Sequence, residues 1–441
     1  MRGWSLWLTS MWLLCLGNAL DKPASSLAPV YEASRERPVR TKGVYAIVNA
    51  TVHPISAPPI EWATVLIRDG RIEAVGKEVT VPPDAEVYNA QGLHLYPGFI
   101  DASTTLGLVE IGAVSATVDT AETGSFNPNA RVEIAINPDS ELIPVARVNG
   151  ITTAVVAPSG GVLSGMGCVI NLDGWTWEDM CIKSPLGIYL NFPAPSGDAS
   201  QSAEARRRDW ESRMRPLRDF FENARRYARA RSAEGKEGVP IHERDPRFEA
   251  MLPVLEGKLP LFVRVESALG IQAAIRWAEE EKVRLVIVGG SEAWKVADLL
   301  REKGVPVILE RVHALPRTED APYDQPFITP KLLHEKGVLF CIASADASNV
   351  RNLPYHAATA VAFGLPHAEG LKALTLYPAR ILGLEHRLGS IEPGKDANLI
   401  LTTGDPLDIR TEVRQVWIGG RPIEMSSKHL RLYEKYRRRP N

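Results

Sequence analysis

The apolar residues of the chain follow three successive patterns, and each pattern predicts a different kind of structure. From Val44 to Gly98, short runs rich in β-branched residues recur at roughly ten-residue intervals, which is typical of a small antiparallel sheet. Asp69-Gly70 separates two of these runs and predicts a hairpin turn. The runs read VYAIVNATVHPI, ATVLIRDGRIEAVG and AEVYNAQGLHLYPG.

In the middle of the chain, continuous apolar runs alternate with helical stretches. The runs predict buried strands, and they read LYPGFIDAS, ITTAVVAP, CVINLDG, GIYLNFP, LFVRVES, RLVIVGG, VPVILE and LFCIASAD. Helical periodicity is found at 271–282, 292–304 and 330–337. Eight buried strands with intervening helices predict an α/β fold built on a closed (β/α)8 TIM barrel.

The last part of the chain returns to strands, in LGSIEPGKDANLILTTGDP and RQVWIGGRPIE. Because strand-rich pieces lie on both sides of the barrel, we expect them to form one small β-sandwich beside it. The predicted units are a signal peptide (1–19), a flexible lead-in (20–42), the sandwich (43–95 and 388–425), the barrel (96–387, with a helical insertion at 196–250) and a basic tail (426–441).

The first residues have the layout of a secretory signal peptide. One Arg precedes an apolar run from Leu6 to Leu16, and small residues lead to a predicted cleavage site after Ala19. The run is shorter than the roughly 20 residues that span a bilayer. We therefore expect an exported protein, periplasmic or secreted, with no membrane span after cleavage.

The composition limits which partners and which cysteine chemistry can be expected. The chain has 441 residues, a formal net charge of -2 and 45% hydrophobic residues, which is too apolar for disorder and gives no reason to expect nucleic acid as a partner. None of its four cysteines has CxxC spacing, which excludes a cysteine-based zinc cluster. After cleavage, Cys168 and Cys181 could pair in an oxidising compartment, or they could stay isolated buried thiols beside Cys341.

Four motifs, taken in order, resemble the amidohydrolase superfamily, and the closest group is the exported, imidazolonepropionase-like amidohydrolases. The motifs are IRDGRI (67–72), YPGFID (96–101), LTLYPARILG (374–383) and LGSIEPGKDANL (388–399). The resemblance covers nearly the whole mature chain. It implies hydrolysis of carbon–nitrogen, non-peptide bonds in a small-molecule substrate by one or two divalent ions, usually zinc. It also implies that a homodimer is a reasonable default.

In that family a His-x-His pair follows the first barrel strand, later strands add two His, and the eighth strand supplies an Asp. Here Ser103 and Thr105 stand in place of the pair, and hydroxyls are poor zinc ligands. Asp346 alone matches an expected position. The third His is replaced by the Arg264–Glu266–Ser267 stretch and the fourth by Gly289 and Gly290. We therefore expect no metal cofactor.

Two interpretations of the remaining polar residues compete. One is a reassigned, metal-free acid–base site at the strand ends. The other is a loss of catalysis, in which paired charges fill the former metal cavity and the chain binds a ligand or assembles with an active paralogue. The candidate residues are Asp101, Arg264, Glu266, Glu310, Arg311, His313 and Asp346. His313 is included because it follows a predicted strand at the barrel rim.

Overall fold

The structure is a computed structural model that describes residues 34–39, 41–195, 200–234 and 243–439. The predicted signal peptide lies outside these residues, as does most of the predicted lead-in. Within the described part of the chain, no helix is both long enough and apolar enough to cross a membrane.

The eight apolar runs of the middle region all form strands of one sheet, as predicted. A two-residue strand, β1 (Arg35–Glu36), adds to the outside of this sheet. The eight wall strands are β7 (Phe99–Thr104), β8 (Ile151–Val156), β9 (Leu163–Asn171), β10 (Cys181–Asn191), β11 (Leu261–Val265), β12 (Leu285–Gly289), β13 (Val307–Glu310) and β14 (Phe340–Ala343).

The sheet curls into a barrel, which confirms the predicted fold class. Its strands follow one another in chain order from β7 to β14. The two ends meet where the Ala345 N–H donates to the carbonyl of Ser103 at 2.9 Å. One strand departs from the prediction, because β9 runs antiparallel to both β8 and β10. The connections on either side of β9 are too short for the crossover that a parallel strand requires.

Helices cover the barrel, and the predicted insertion contributes two of them. The long α3 buries Phe220 and Phe221 against the barrel and exposes its arginine-rich side. The helices are α1 (Leu142–Arg147), α2 (Trp177–Met180), α3 (Ala203–Ala233), α4 (Pro246–Leu255), α5 (Ala268–Glu281), α6 (Ala297–Lys303), α7 (Gln325–Glu335), α8 (Leu353–Ala362), α9 (His367–Leu374), α10 (Leu376–Ile381) and α11 (Lys428–Arg437).

The strand-rich pieces before and after the barrel join in one second sheet, as predicted. Its strands are β2 (Val44–Val52), β3 (Ile60–Arg68), β4 (Arg71–Gly76), β5 (Glu86–Asn89), β6 (His94–Pro97), β15 (Leu399–Thr402), β16 (Val413–Ile418) and β17 (Arg421–Pro422). β6 from the front pairs with β15 from the back. The Asp69-Gly70 turn joins β3 to β4, with a positive φ at both residues.

Asn398, in the C-terminal motif, fastens the second sheet to the barrel. Its side-chain amide donates to Asn171 at 2.8 Å and to Thr153 at 3.0 Å, both on barrel strands. The oxygen of the same side-chain amide, Oδ1, accepts from the Gly419 N–H at 2.7 Å, next to β16. One buried side chain thus joins both layers, which holds the barrel in a fixed position relative to the second sheet.

Candidate ligand site at the barrel mouth

Asp101 lies inside the barrel wall, where β7 meets β14. Its carboxylate is fully buried and accepts from the backbone N–H groups of Ser344 and Ser103 at 3.1 and 3.3 Å, and from the Ser344 hydroxyl. Burial raises the pKa of Asp101 to about 7, more than these hydrogen bonds lower it. Asp101 therefore closes the barrel beneath the mouth, with its oxygens engaged by the wall itself.

Ser103 on β7 and Glu310 on β13 meet at the ends of the two strands that flank β14. Ser103 occupies the first position of the missing His-x-His pair, and its hydroxyl donates to Glu310 Oε1 at 2.7 Å. Glu310 is the last residue of β13, so its side chain stands at the rim that forms the mouth. Burial raises the pKa of Glu310, against the lowering effects of the Ser103 hydrogen bond and of the Arg264 charge.

Arg264 places a permanent positive charge inside the barrel. Its guanidinium donates to the Pro158 carbonyl at 2.7 Å and lies 4.8 Å from the centroid of the Tyr189 ring. The same charge acts on Glu310 and lowers its pKa. An arginine here supplies a positive charge where the family carries a metal dication, and it supplies only donors.

Glu266 fills the space that Gly289 leaves open. A Cβ on Gly289 would lie 2.3 Å from Glu266 Oε1, and Gly289 has a φ of +91°. The other carboxylate oxygen accepts from the Ser291 N–H at 2.9 Å. The absence of a side chain at Gly289 therefore leaves the space that the Glu266 carboxylate occupies.

Replacing Gly289 with alanine is expected to displace Glu266. The added methyl group would overlap the carboxylate, which ends a flexible side chain and can move, so we expect a loss of about 1 to 3 kcal/mol in the free energy of unfolding, most of it from the positive φ and the rest from displacing Glu266. Gly394→Ala is the matched control, since Gly394 has a φ of +90° and open space around its Cβ. Urea denaturation of both variants measures the difference. Equal losses would contradict the contact with Glu266.

A cavity of about 390 Å³ lies beside this cluster, and Asp101, Ser103 and Arg264 are not part of its lining. We call the side formed by Glu266, Glu310 and Arg311 its floor; the loops after β12 and β13 and the start of α7 supply its walls. The wall residues that the sequence analysis did not single out include Trp294, Lys295 and Arg317. Their only sequence signal is their place just after barrel strands, where TIM-barrel sites are built. We call this space the mouth cavity; its volume suits a small molecule.

Asp346 reaches the expected strand end but turns into its own loop. Its carboxylate accepts from the N–H groups of Ser348 and Asn349 at 2.8 and 3.0 Å and from the Asn349 amide at 3.2 Å. Burial raises the pKa of Asp346, and these hydrogen bonds together lower it further than burial raises it. The structure therefore places Asp346 as a turn-stabilising residue beside the mouth.

His313 also lies apart from the charges inside the barrel. Its Nε2 is 2.7 Å from the Thr359 hydroxyl, and its ring stacks on His356 at a centroid distance of 4.3 Å. Both partners belong to α8, which covers the outside of the barrel. Of the predicted site residues, the structure thus brings together Arg264, Glu266, Glu310 and Arg311, with Asp101 beneath them.

The residues at the mouth do not fit the metal centre of the family. Across the described ranges, no three His, Cys, Asp or Glu side chains are arranged to hold a metal ion. Ser103 already donates to Glu310, and Arg264 brings a like charge that would repel a dication. This donor set gives no basis for a reaction step that passes through a metal.

Known proteins similar to this chain were found by sequence and by structure. A model of the amidohydrolase family matches residues 274–423. Amidohydrolase tasK of Hapsidospora irregularis is 24% identical over 422 residues, which is 84% of this chain and 42% of that protein. The chain thus spans less than half the length of this curated relative. A phenylurea hydrolase B structure has a TM-score of 0.52 at 15% identity, covering 87% of this chain and 97% of that one, which shows the shared fold alone.

A solved amidohydrolase from Thermotoga maritima gives the strongest basis for classification. It superposes with a TM-score of 0.76 and is 31% identical, covering 86% of this chain and 99% of that one. The superposition therefore takes in nearly the whole of that protein. With these motifs in order and this coverage, the chain belongs to the amidohydrolase family.

Proposed function

We propose that this amidohydrolase-family protein binds a small organic molecule in the mouth cavity without a metal ion. The observation behind the proposal is that Arg264, Glu266 and Glu310 stand together at the strand ends, each with a hydrogen-bond partner elsewhere in the protein. Ser103 donates to Glu310, while Arg264 supplies positive charge inside the barrel. Such a set needs no dication to balance its carboxylates.

The walls of the mouth cavity indicate the chemistry of the ligand. Lys295 forms an ion pair with Glu292 at 2.9 Å, while Arg311 and Arg317 extend the positive side of the cavity. Glu266 and Glu310 form the acidic floor. A molecule that carries a carboxylate together with an amide offers an acceptor to the arginines and a donor to the carboxylates. N-acetylated amino acids are therefore suitable probes.

A second candidate function is metal-free hydrolysis with Glu310 as the acid–base group. Glu310 lines the cavity, and burial raises its pKa, which is the direction that favours a carboxyl group acting as a general acid. Arg311, also on the floor, could stabilise negative charge that develops on the substrate. The two functions share one site and differ only in whether the bound molecule is converted.

Calorimetric titration of the purified protein with a panel of N-acetylated amino acids tests the proposal. We expect at least one member to bind with the same affinity in EDTA and in zinc. Arg317→Ala should weaken this binding about tenfold, because one charge-assisted hydrogen bond is worth roughly 1.5 kcal/mol or more. Arg301→Ala on α6 is the matched control. Binding that occurs only with added zinc would contradict the proposal.

The Glu310→Gln variant separates the two functions. If the protein hydrolyses the bound probe, acetate appears in EDTA, and this product is lost in the variant while binding remains. If the protein only binds the probe, neither form releases acetate. Proton NMR of the incubated mixture follows the N-acetylated probe and the released acetate in one measurement, with the probe present above its dissociation constant.

A further inference from the structure

We propose that Cys168 and Cys181 form a disulfide that crosslinks barrel strands β9 and β10 when the protein meets a thiol oxidant. The two strands are antiparallel neighbours, and Cys181 faces Ile170 in their register. Cys168 is two residues from Ile170 and therefore points to the same side of the sheet. This places the two thiols in diagonal positions on one face.

The two thiols lie in one apolar cluster. Both side chains are buried in the same part of the core, and both are free cysteines. The Cys168 thiol donates a hydrogen bond to Cys181, which lowers the pKa of Cys181 more than burial raises it. Burial and the same bond raise the pKa of Cys168. Cys341, the third cysteine of the described residues, lies in a different cluster. The geometry thus selects one pair from the three thiols that the structure describes.

Cys181 is the thiol of the pair that borders a surface groove, although only 1% of its surface is exposed. It lines a groove of about 400 Å³ bordered by Arg37, Lys42 and Trp175. Arg37 lies beside this groove, where its guanidinium donates to the Glu178 carbonyl at 2.8 Å, and its charge lowers the pKa of Cys181 further. A positive charge next to a thiol raises the fraction present as thiolate, which is the attacking species. Arg37 is therefore a positioning residue for this reaction.

The oxidation exchanges one disulfide for another. The Cys181 thiolate attacks one sulfur of glutathione disulfide, forming a mixed disulfide and releasing one glutathione thiolate. That thiolate takes up the proton of Cys168. The Cys168 sulfur then attacks Cys181 and releases the second glutathione. Two thiols are oxidised, and one glutathione disulfide is reduced to two glutathione molecules, with no other reactant needed.

Intact-mass analysis with thiol counting tests the proposal on the mature chain. After incubation with glutathione disulfide and removal of the reagent, we expect a mass about 2 Da below that of the reduced protein, because disulfide formation removes two hydrogens. Under denaturing conditions only one of the three free cysteines should then react with maleimide. Three reactive thiols, a stable glutathione adduct or a disulfide involving Cys341 would overturn the proposal.

Four variants establish which residues carry the reaction. Cys341→Ser should still form the disulfide, whereas Cys168→Ser should stop at a mixed disulfide on Cys181. Arg37→Ala should slow oxidation severalfold, and Lys42→Ala, on the same groove, should leave the rate unchanged. Circular dichroism confirms that each variant is folded. An equal rate in the Arg37 and Lys42 variants would contradict the role of Arg37, and a disulfide in Cys168→Ser would contradict the pairing.

Discussion

Asp101→Ala is expected to lower the free energy of unfolding by about 3 to 5 kcal/mol, because it leaves several buried donors without an acceptor at once. The Asp101 carboxylate accepts from two backbone N–H groups and the Ser344 hydroxyl, at the junction that closes the barrel. Asp101→Asn is the matched control. Its amide oxygen can accept both N–H bonds and its amide nitrogen can donate to Ser344, so we expect a much smaller loss.

The native protein and the Asp101→Asn variant should differ in how their stability changes with pH. Burial raises the pKa of Asp101 from 3.8 to about 7, so the folded protein keeps this proton over a range in which the unfolded chain has released it. The contribution of Asp101 to stability is therefore complete below about pH 4 and falls as the pH rises toward 7. Asn cannot ionise. We expect the stability of the native protein relative to Asp101→Asn to fall between pH 4.5 and 7.5, measured by urea denaturation; a rise would contradict the account.

Arg264→Gln is the second substitution with a large expected effect, about 2 to 4 kcal/mol of lost stability. It removes the charge that acts on Glu310, the hydrogen bond to the Pro158 carbonyl and the contact with the Tyr189 ring. Uptake of a proton by Glu310 would limit the loss at low pH. The stability of Arg264→Lys should lie between those of the native protein and Arg264→Gln, since lysine keeps the charge without the planar group that stacks on tyrosine.

A double-mutant cycle tests whether Arg264 and Glu310 depend on each other. Glu310→Gln removes the ionisable group and keeps its shape, so Arg264→Gln should cost less in that background than in the native protein. We expect a coupling of roughly 1 to 3 kcal/mol, as for neighbouring groups in one network. Additive losses, within about 0.5 kcal/mol, would show that the two charges act independently.

The fold could be read from the sequence because apolar runs determine which segments are buried. All eight runs became barrel strands, and the Asp69-Gly70 turn formed where expected. The direction of β9 could not be read, because an apolar run has the same pattern in parallel and antiparallel strands. Only the shortness of the segments before Leu163 and before Cys181 carried that information.

The site was predictable in part, for a related reason. Strand-end residues such as Glu310 and Glu266 could be placed at the mouth from the fold alone. Side-chain direction within loops could not: His313 turns to α8 and Asp346 to its own turn, through local hydrogen bonds that the spacing of residues does not encode. Lys295 and Arg317 reach the walls of the mouth cavity because the loops after β12 and β13 fold toward each other, and the sequence pattern does not predict this.

We propose that charged side chains occupy the place of the family's metal centre. Anomalous diffraction at the zinc edge, from crystals soaked in zinc, tests this most directly because it locates each ion. We predict no peak inside the barrel, with Glu310 still bonded to Ser103. A strong peak coordinated by Glu266 and Glu310 would contradict the claim and would make metal-assisted hydrolysis the better explanation of this site.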